Sequence, residues 1–287
     1  MLKGRDRDRA IIERLEGWEK AGVRFPDAVD RRLRLLRLAI EAQPGIGTPT
    51  PHLTRDAVSA LLMQGKHILS FDDIRLDRRL FQEIFRDVVG VLVAEPSGDQ
   101  ENSRRLNQLA ANYPLLQQVA REYYSGTPLS GTATEHCVDA AVLEACVGAA
   151  LNPFLKAYSE VLSALVGQEL WRRKNCPICG GWADFAYLES EVGARWLMCS
   201  RCGMEWLFQR IQCPYCGTQK HQSLAYRTNS QGLYRLYTCE ECHSYVKAID
   251  LRRASSEVLL PLERIVTADL DRQAMEANYG PGHRSHS

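Results

Sequence analysis

Apolar positions recur at helical spacing through the first 170 residues and lose that period afterwards. Val29, Leu33, Leu36 and Ile40 form one stripe, entered through Pro26, Asp27 and Asp30 as an N-terminal capping arrangement and stopped by Pro44-Gly45. Leu80, Ile84, Val88 and Leu92 form a second, with Phe81 and Phe85 beside it. A third helix is predicted from Ser103, interrupted at Pro114 and resumed to Tyr124. The stretch from Glu135 to Ser163 is apolar nearly all round, which predicts a buried helix pair broken at Asn152-Pro153. From Lys174 onward, short runs rich in Trp, Tyr and β-branched residues alternate with Cys-x-x-Cys pairs, a strand texture. After Asp250 a polar stretch precedes a last helix marked by Leu262, Ile265, Val266, Leu270 and Ala274, ending at Gly280.

The fold class expected is therefore α+β. An all-helical domain (1–170) precedes two tandem rubredoxin-like or zinc-ribbon-like four-cysteine modules (171–210 and 211–255), a C-terminal helix (256–280) and a disordered tail (281–287). Composition agrees with a globular chain: of 287 residues, 45% are hydrophobic and 25% charged, with net charge +1. No strong global field draws it to nucleic acid or an anionic membrane. The first ten residues are charged and lack the apolar core of a secretory signal. No apolar run approaches the roughly 18 residues that would cross a bilayer. A cytoplasmic protein is expected, in a compartment where ten cysteines argue for metal ligation or thiol chemistry rather than disulfides.

Eight cysteines carry the chemistry. They form the pairs Cys176/Cys179, Cys199/Cys202, Cys213/Cys216 and Cys239/Cys242. The segments Cys-Pro-Ile-Cys-Gly (176–180) and Cys-Pro-Tyr-Cys-Gly (213–217) are near copies, each followed by a strand-rich span and a second pair, so the region is an internal duplication. Two residues between cysteines let both sulfurs of a tight turn face one ion. A glycine after the second cysteine (Gly180, Gly203, Gly217) permits the left-handed closure of such a knuckle. The natural grouping puts Cys176, Cys179, Cys199 and Cys202 on one ion and Cys213, Cys216, Cys239 and Cys242 on another; interleaved grouping is the alternative. Four thiolates suit both zinc and iron and leave no open position for hydrolytic metal catalysis.

Cys137 and Cys146, nine apart in the apolar stretch, read as buried small hydrophobes on opposite faces of a helix. Cys239-Glu-Glu-Cys242-His243 matches the short haem-attachment signature, but the pair completes the second ribbon and His243 occupies the position of Gly203. Trp182, Trp206 and Tyr215 lie between knuckles; core packing is the expected role for most of them, partner contact the other.

The runs Cys176-Pro-Ile-Cys-Gly-Gly181, Trp196-Leu-Met-Cys-Ser-Arg-Cys-Gly-Met-Glu-Trp206, Arg210-Ile-Gln-Cys-Pro-Tyr-Cys-Gly217 and Cys239-Glu-Glu-Cys-His-Ser-Tyr-Val-Lys247 closely resemble the formate dehydrogenase accessory protein family, FdhE. So does the closing helix through Asp271, Met275, Glu276 and Tyr279, giving a specific match over about residues 171–280. His243, where the family pattern leads one to expect Gly, and the short N-terminal segment depart from it. The resemblance implies a cytoplasmic accessory protein, not an enzyme, with two iron ions in the four-cysteine modules and zinc as the alternative. Its implied partner is the catalytic subunit of a molybdenum- or tungsten-dependent formate dehydrogenase, during maturation.

Two other functions fit a double ribbon. Rubredoxin-like electron transfer requires iron. Nucleic-acid binding is disfavoured by charge: ten basic and seven acidic side chains in residues 171–250 give +3, which eight thiolates around two divalent ions bring to about −1. Neither nucleic acid nor membrane insertion is expected, and the oligomeric state is left open.

Overall fold

The computed structural model describes residue 2 and residues 4–50, 53–93 and 99–282. Helices α1 (Gly4–Lys20), α2 (Asp27–Ile46), α3 (Arg55–Met63), α4 (Arg78–Leu92), α5 (Gln100–Ala111), α6 (Tyr113–Ser125), α7 (Ser130–Glu135) and α8 (Ala140–Leu162) come first. Strands β1 (Ala183–Leu188), β2 (Arg195–Cys199), β3 (Glu205–Phe208), β4 (Leu224–Thr228), β5 (Tyr234–Cys239) and β6 (Ser244–Asp250) follow. Helices α9 (Leu260–Val266) and α10 (Ala268–Glu276) and the two-residue strand β7 (Gly280–Pro281) close the chain. The fold is α+β.

The chain forms two compact units. Among the described residues, one holds 23–50, 69–93 and 99–158; the other holds 2, 4–22, 53–68 and 159–282. Contacts therefore place α1 and α3 with the strands, and the division does not fall at residue 170.

In the first of these units, α4 buries Phe81, Ile84, Phe85, Val88, Val89 and Val91, while Leu80 and Leu92 are only partly covered. Its axis is thus rotated toward the phenylalanines, and Phe81 meets Phe154 edge-on at 5.7 Å. Asn112 ends α5 and caps α6, accepting a hydrogen bond from the Leu115 amide, which is how Pro114 comes to sit in a first turn. The capping expected of Asp27 is absent. Pro26 occupies the cap position without a side-chain bond, and Asp27 and Asp30 instead place negative charge in the first turn.

Helix α8 corrects two expectations. It runs unbroken for 23 residues through Pro153. A proline inside a helix costs about 3 kcal/mol. Buried Leu151, Phe154, Leu155 and Leu162 on both sides of the proline outweigh that, at roughly 1.5–3 kcal/mol each. The segment Ala140–Leu165 is also long and apolar enough to cross a membrane, contrary to the reading that no run approaches that length; half of its apolar window is buried within the fold. Cys146 is fully buried as expected. Cys137 is not: it lies before α8, exposed, in a left-handed turn at φ 54°.

The strands of the other unit form one sheet in the order β3-β2-β1-β6-β5-β4, with β7 beside β6. Each ribbon is three antiparallel strands, and β1 joins β6 in parallel, Phe185 opposite Lys247 and Leu188 opposite Asp250. The ribbons are fused head to tail, so β6 lies in the middle and all seven of its residues are buried. The single C-terminal helix expected is two short ones, turned at Thr267. Leu260 of α9 packs with Phe185, Tyr187, Met198 and Ile249, and Ala274 of α10 with Leu236 and Tyr245. Gly280 and Pro281 pair with Ser244 and Tyr245, so the tail begins as sheet. The disorder expected of residues 283–287 lies outside the described residues.

Candidate metal centres

Each ribbon brings its first Cys pair, from the turn before its first strand, against a second pair at the hairpin between its second and third strands. In the first ribbon, Cys176 Sγ lies 3.5 Å from Cys202 Sγ, and Cys179 Sγ lies 3.5 Å from both Cys199 Sγ and Cys202 Sγ. In the second, Cys213–Cys242 and Cys216–Cys239 are each 3.7 Å apart. Within each group of four, the sulfurs lie within 4.8 Å of one another. The grouping is sequential, not interleaved.

These distances fit a metal. An ion about 2.3 Å from each of four sulfurs in a tetrahedron sets the sulfurs roughly 3.8 Å apart. Burial, with a smaller contribution from the neighbouring sulfurs, pushes the Cys239 thiol up to about 11 and Cys213 further up, so four ionised sulfurs at such spacing need a cation between them. The two four-cysteine clusters can hold metal ions.

Knuckle geometry repeats. The amides of Ile178, Arg201 and Tyr215 donate to the sulfurs of Cys176, Cys199 and Cys213 at 3.4 Å. The residue after each second cysteine is left-handed: Gly180 at φ 70°, Gly203 at 69°, Gly217 at 84° and, in the fourth knuckle, His243 at 49°. His243 thus takes the conformation a glycine would take, with its ring 6.2 Å from that of Tyr279. It keeps the knuckle closed and has no need of a haem to explain it.

Sequence reasoning missed a second shared device. Asn175 and Gln212, each just before the first cysteine of its repeat, donate their side-chain amides to the carbonyls of Gly180 and Gly217 at 3.1 and 3.2 Å. A carboxamide at the same place in both copies was the available signal. It also missed Lys247. Buried on β6, that ammonium donates to the Arg264 and Thr267 carbonyls and to Asp271 Oδ2 (2.8 Å), while the Tyr245 hydroxyl donates to Asp271 Oδ1. This cluster ties the second ribbon to α10. Asp250, wholly buried, accepts from Arg252 and Arg235, which hold its carboxyl down at about 2.

The aromatic residues between knuckles divide as the core reading expects. Trp206 and Tyr215 are buried, Trp206 donating to the Arg173 carbonyl and Tyr215 to that of Ala183. Trp182 alone is partly exposed, its ring 5.2 Å from Lys174 Nζ.

Fold and site together define a class: a helical protein carrying two fused ribbons, each closed around a four-cysteine centre. Relatives narrow this further. No family model matches the chain. A protein FdhE homolog of Aquifex aeolicus is 35% identical over 133 residues, covering 45% of this chain and 46% of that protein. One of Shewanella oneidensis is 29% identical over 127 residues, covering 43% and 40%. The chain thus matches less than half the length of these curated relatives. The crystal structure of the FdhE protein from Pseudomonas aeruginosa matches the fold with TM-score 0.59 at 20% identity, over 88% of this chain and 86% of that one. The resemblance seen in the cysteine segments holds: the chain is similar to FdhE homologs over less than half its length and shares its fold with the Pseudomonas aeruginosa protein.

Proposed function

We propose that this protein is an accessory factor for a molybdenum- or tungsten-dependent formate dehydrogenase, acting in the cytoplasm on the catalytic subunit during maturation. The carrying observation is the pair of closed four-sulfur centres in a single sheet, in a chain similar to FdhE homologs. A cation with all four positions taken by protein sulfur has no place for substrate or water, so the ions serve shape or electron transfer rather than hydrolysis. Cys176, Cys179, Cys199 and Cys202 hold one ion; Cys213, Cys216, Cys239 and Cys242 hold the other. By the family resemblance both ions are iron, with zinc as the alternative, and bound iron would supply one-electron chemistry.

The test has two arms. The formate dehydrogenase catalytic subunit should co-purify with the tagged chain, and a strain lacking the gene should lose formate dehydrogenase activity that the intact gene restores. Full activity in the deletion strain, with no co-purification, would overturn the proposal. Exposure of Cys216 at the second centre favours a redox contribution there, because electrons reach a centre through its exposed edge. Elemental analysis and the visible spectrum of anaerobically purified protein decide it: absorption that bleaches reversibly supports it, and a colourless zinc protein ends it.

A further inference from the structure

A cavity of about 470 Å³ lies beside the second centre, inside the ribbon unit. Arg195 of β2, Arg210 and Ile211 of the connection between ribbons, and Tyr226, Arg235 and Tyr237 of β4 and β5 help to line it, and no Asp or Glu among the described residues does. Arg195 is only 2% exposed. Its Nη2 donates to the carbonyls of Gln209 and Gln212, but its buried Nε has no hydrogen-bond partner. Arg235 repeats the pattern: Nη2 donates to Asp250 at 2.7 Å, and the buried Nε is unpartnered.

A buried donor left unmade is destabilising, the more so on a charged group. The two arginines share one wall of the cavity that carries no carboxylate among the described residues, so an acceptor that enters meets their positive charge. Burial pushes the Arg195 guanidinium down to about 10, so it stays charged at neutral pH. Aromatic rings also line the wall. Tyr226 and Tyr237 lie 5.5 Å apart, with Arg235 over the first at 4.9 Å and Arg195 over the second at 5.6 Å. Ile211 and Tyr226, each about half exposed, supply an apolar rim.

Two plainer roles explain less. As a brace for the connection between ribbons, Arg195 needs its Nη2 but neither an idle Nε nor an open volume. As counter-charges to the nearby sulfurs, the arginines need no aromatic cavity.

We propose that this cavity binds a small organic oxyanion, a carboxylate or phosphate on a planar or apolar body, with the anionic group on Arg195 and Arg235 and the body against Tyr226, Tyr237 and Ile211. Guanidinium forks favour such oxygens over other anions. The site is independent of any docking role for the metal ribbons.

Calorimetric titration of the full metal-loaded chain with benzoate, phenyl phosphate, inorganic phosphate and neutral benzamide tests it. At least one aryl anion should bind, with benzamide at least about tenfold weaker. The stronger aryl anion identifies whether carboxylate or phosphate is preferred. Arg195→Gln should weaken that anion at least about tenfold while metal content stays unchanged. Should Arg195→Gln not fold, Arg195→Lys and the rim variant Tyr226→Ala replace it. Lysine should bind the aryl anion several-fold more weakly, and Tyr226→Ala should weaken aryl anions while sparing inorganic phosphate. No binding of either aryl anion, benzamide binding as well as benzoate, or unchanged affinity in both replacement variants overturns the proposal. Inorganic phosphate binding as tightly as phenyl phosphate, an adventitious ion only, overturns it too.

Discussion

The two ribbons share motif, connectivity and knuckle geometry, yet their metal centres face different surroundings. All four cysteines of the first centre are buried, whereas in the second Cys216 is exposed and Cys242 half-buried. Their strands differ likewise. β1 lies inside the sheet with five of six residues buried, while β4 ends the sheet with four of five exposed. Position in the fused sheet sets the difference. Each ribbon offers one edge to the other, and the second ribbon keeps its first strand at the margin. Equal ligand chemistry therefore comes with unequal access for water, chelators and partners.

The largest effect should come from the ligands themselves. Structural metal in such modules contributes about 10–16 kcal/mol, as much as a whole domain's stability. Cys176→Ser with Cys179→Ser should leave no soluble folded chain. Cys213→Ser with Cys216→Ser should lose one ion, unfold the second ribbon's exposed strands and abolish the proposed partner activation, while the first ion stays. Metal counting and hydrogen exchange on both double variants check this; two bound ions in the second variant would erase the contrast. In the wild type, a chelator should strip one ion at least about tenfold faster than the other, because the exposed centre opens locally.

Next in size is the cluster beneath the second ribbon. Asp271→Asn leaves the Lys247 ammonium buried without its carboxylate, a loss of about 3–5 kcal/mol readable in denaturant unfolding. It should speed release of the second ion more than the first. Equal acceleration of both would show that α10 supports the sheet as a whole.

The seam between ribbons should show a smaller, pH-dependent effect. Asp250 titrates at about 2 in the folded chain against roughly 3.9 unfolded. A depressed carboxylate contributes stability above its unfolded value and loses it as pH falls toward the folded one. Up to about 2 kcal/mol should therefore vanish between about pH 4 and 2. Subtracting the Asp250→Asn profile isolates it; identical profiles would refute the assignment. The smallest effect is at the fourth knuckle. His243→Gly relieves a left-handed residue worth about 1 kcal/mol, partly offset by loss of the Tyr279 contact, and a thermal melt should move by no more than a few degrees.

Much of the first ribbon was legible because its signals are local. Knuckles are five-residue turns, so Cys176-Pro-Ile-Cys-Gly180 reveals its own geometry, and the near copy at 213 reveals the duplication. The helical stripes were legible too, from period alone. What failed had competing long-range terms. Pro153 reads as a break until the core on both sides of it is counted, and Cys137 reads as helical until α8 is seen to start at Ala140. β6 hides its central place because Ser244, Lys247 and Asp250 look like surface residues. Lys247 and Asp250 find long-range partners, Asp271 of α10 and Arg235 of β5.

By itself the sequence determined the candidate ligand set, the doubled module and the division of texture between helices and ribbons, since each depends on residues close along the chain. Tertiary structure alone decided which cysteines share a centre, which centre is sealed, and that β1 and β6 fuse the ribbons beside an arginine-lined cavity. Those outcomes depend on pairings between segments tens of residues apart, where backbone hydrogen bonding and burial are satisfied only by the assembled sheet.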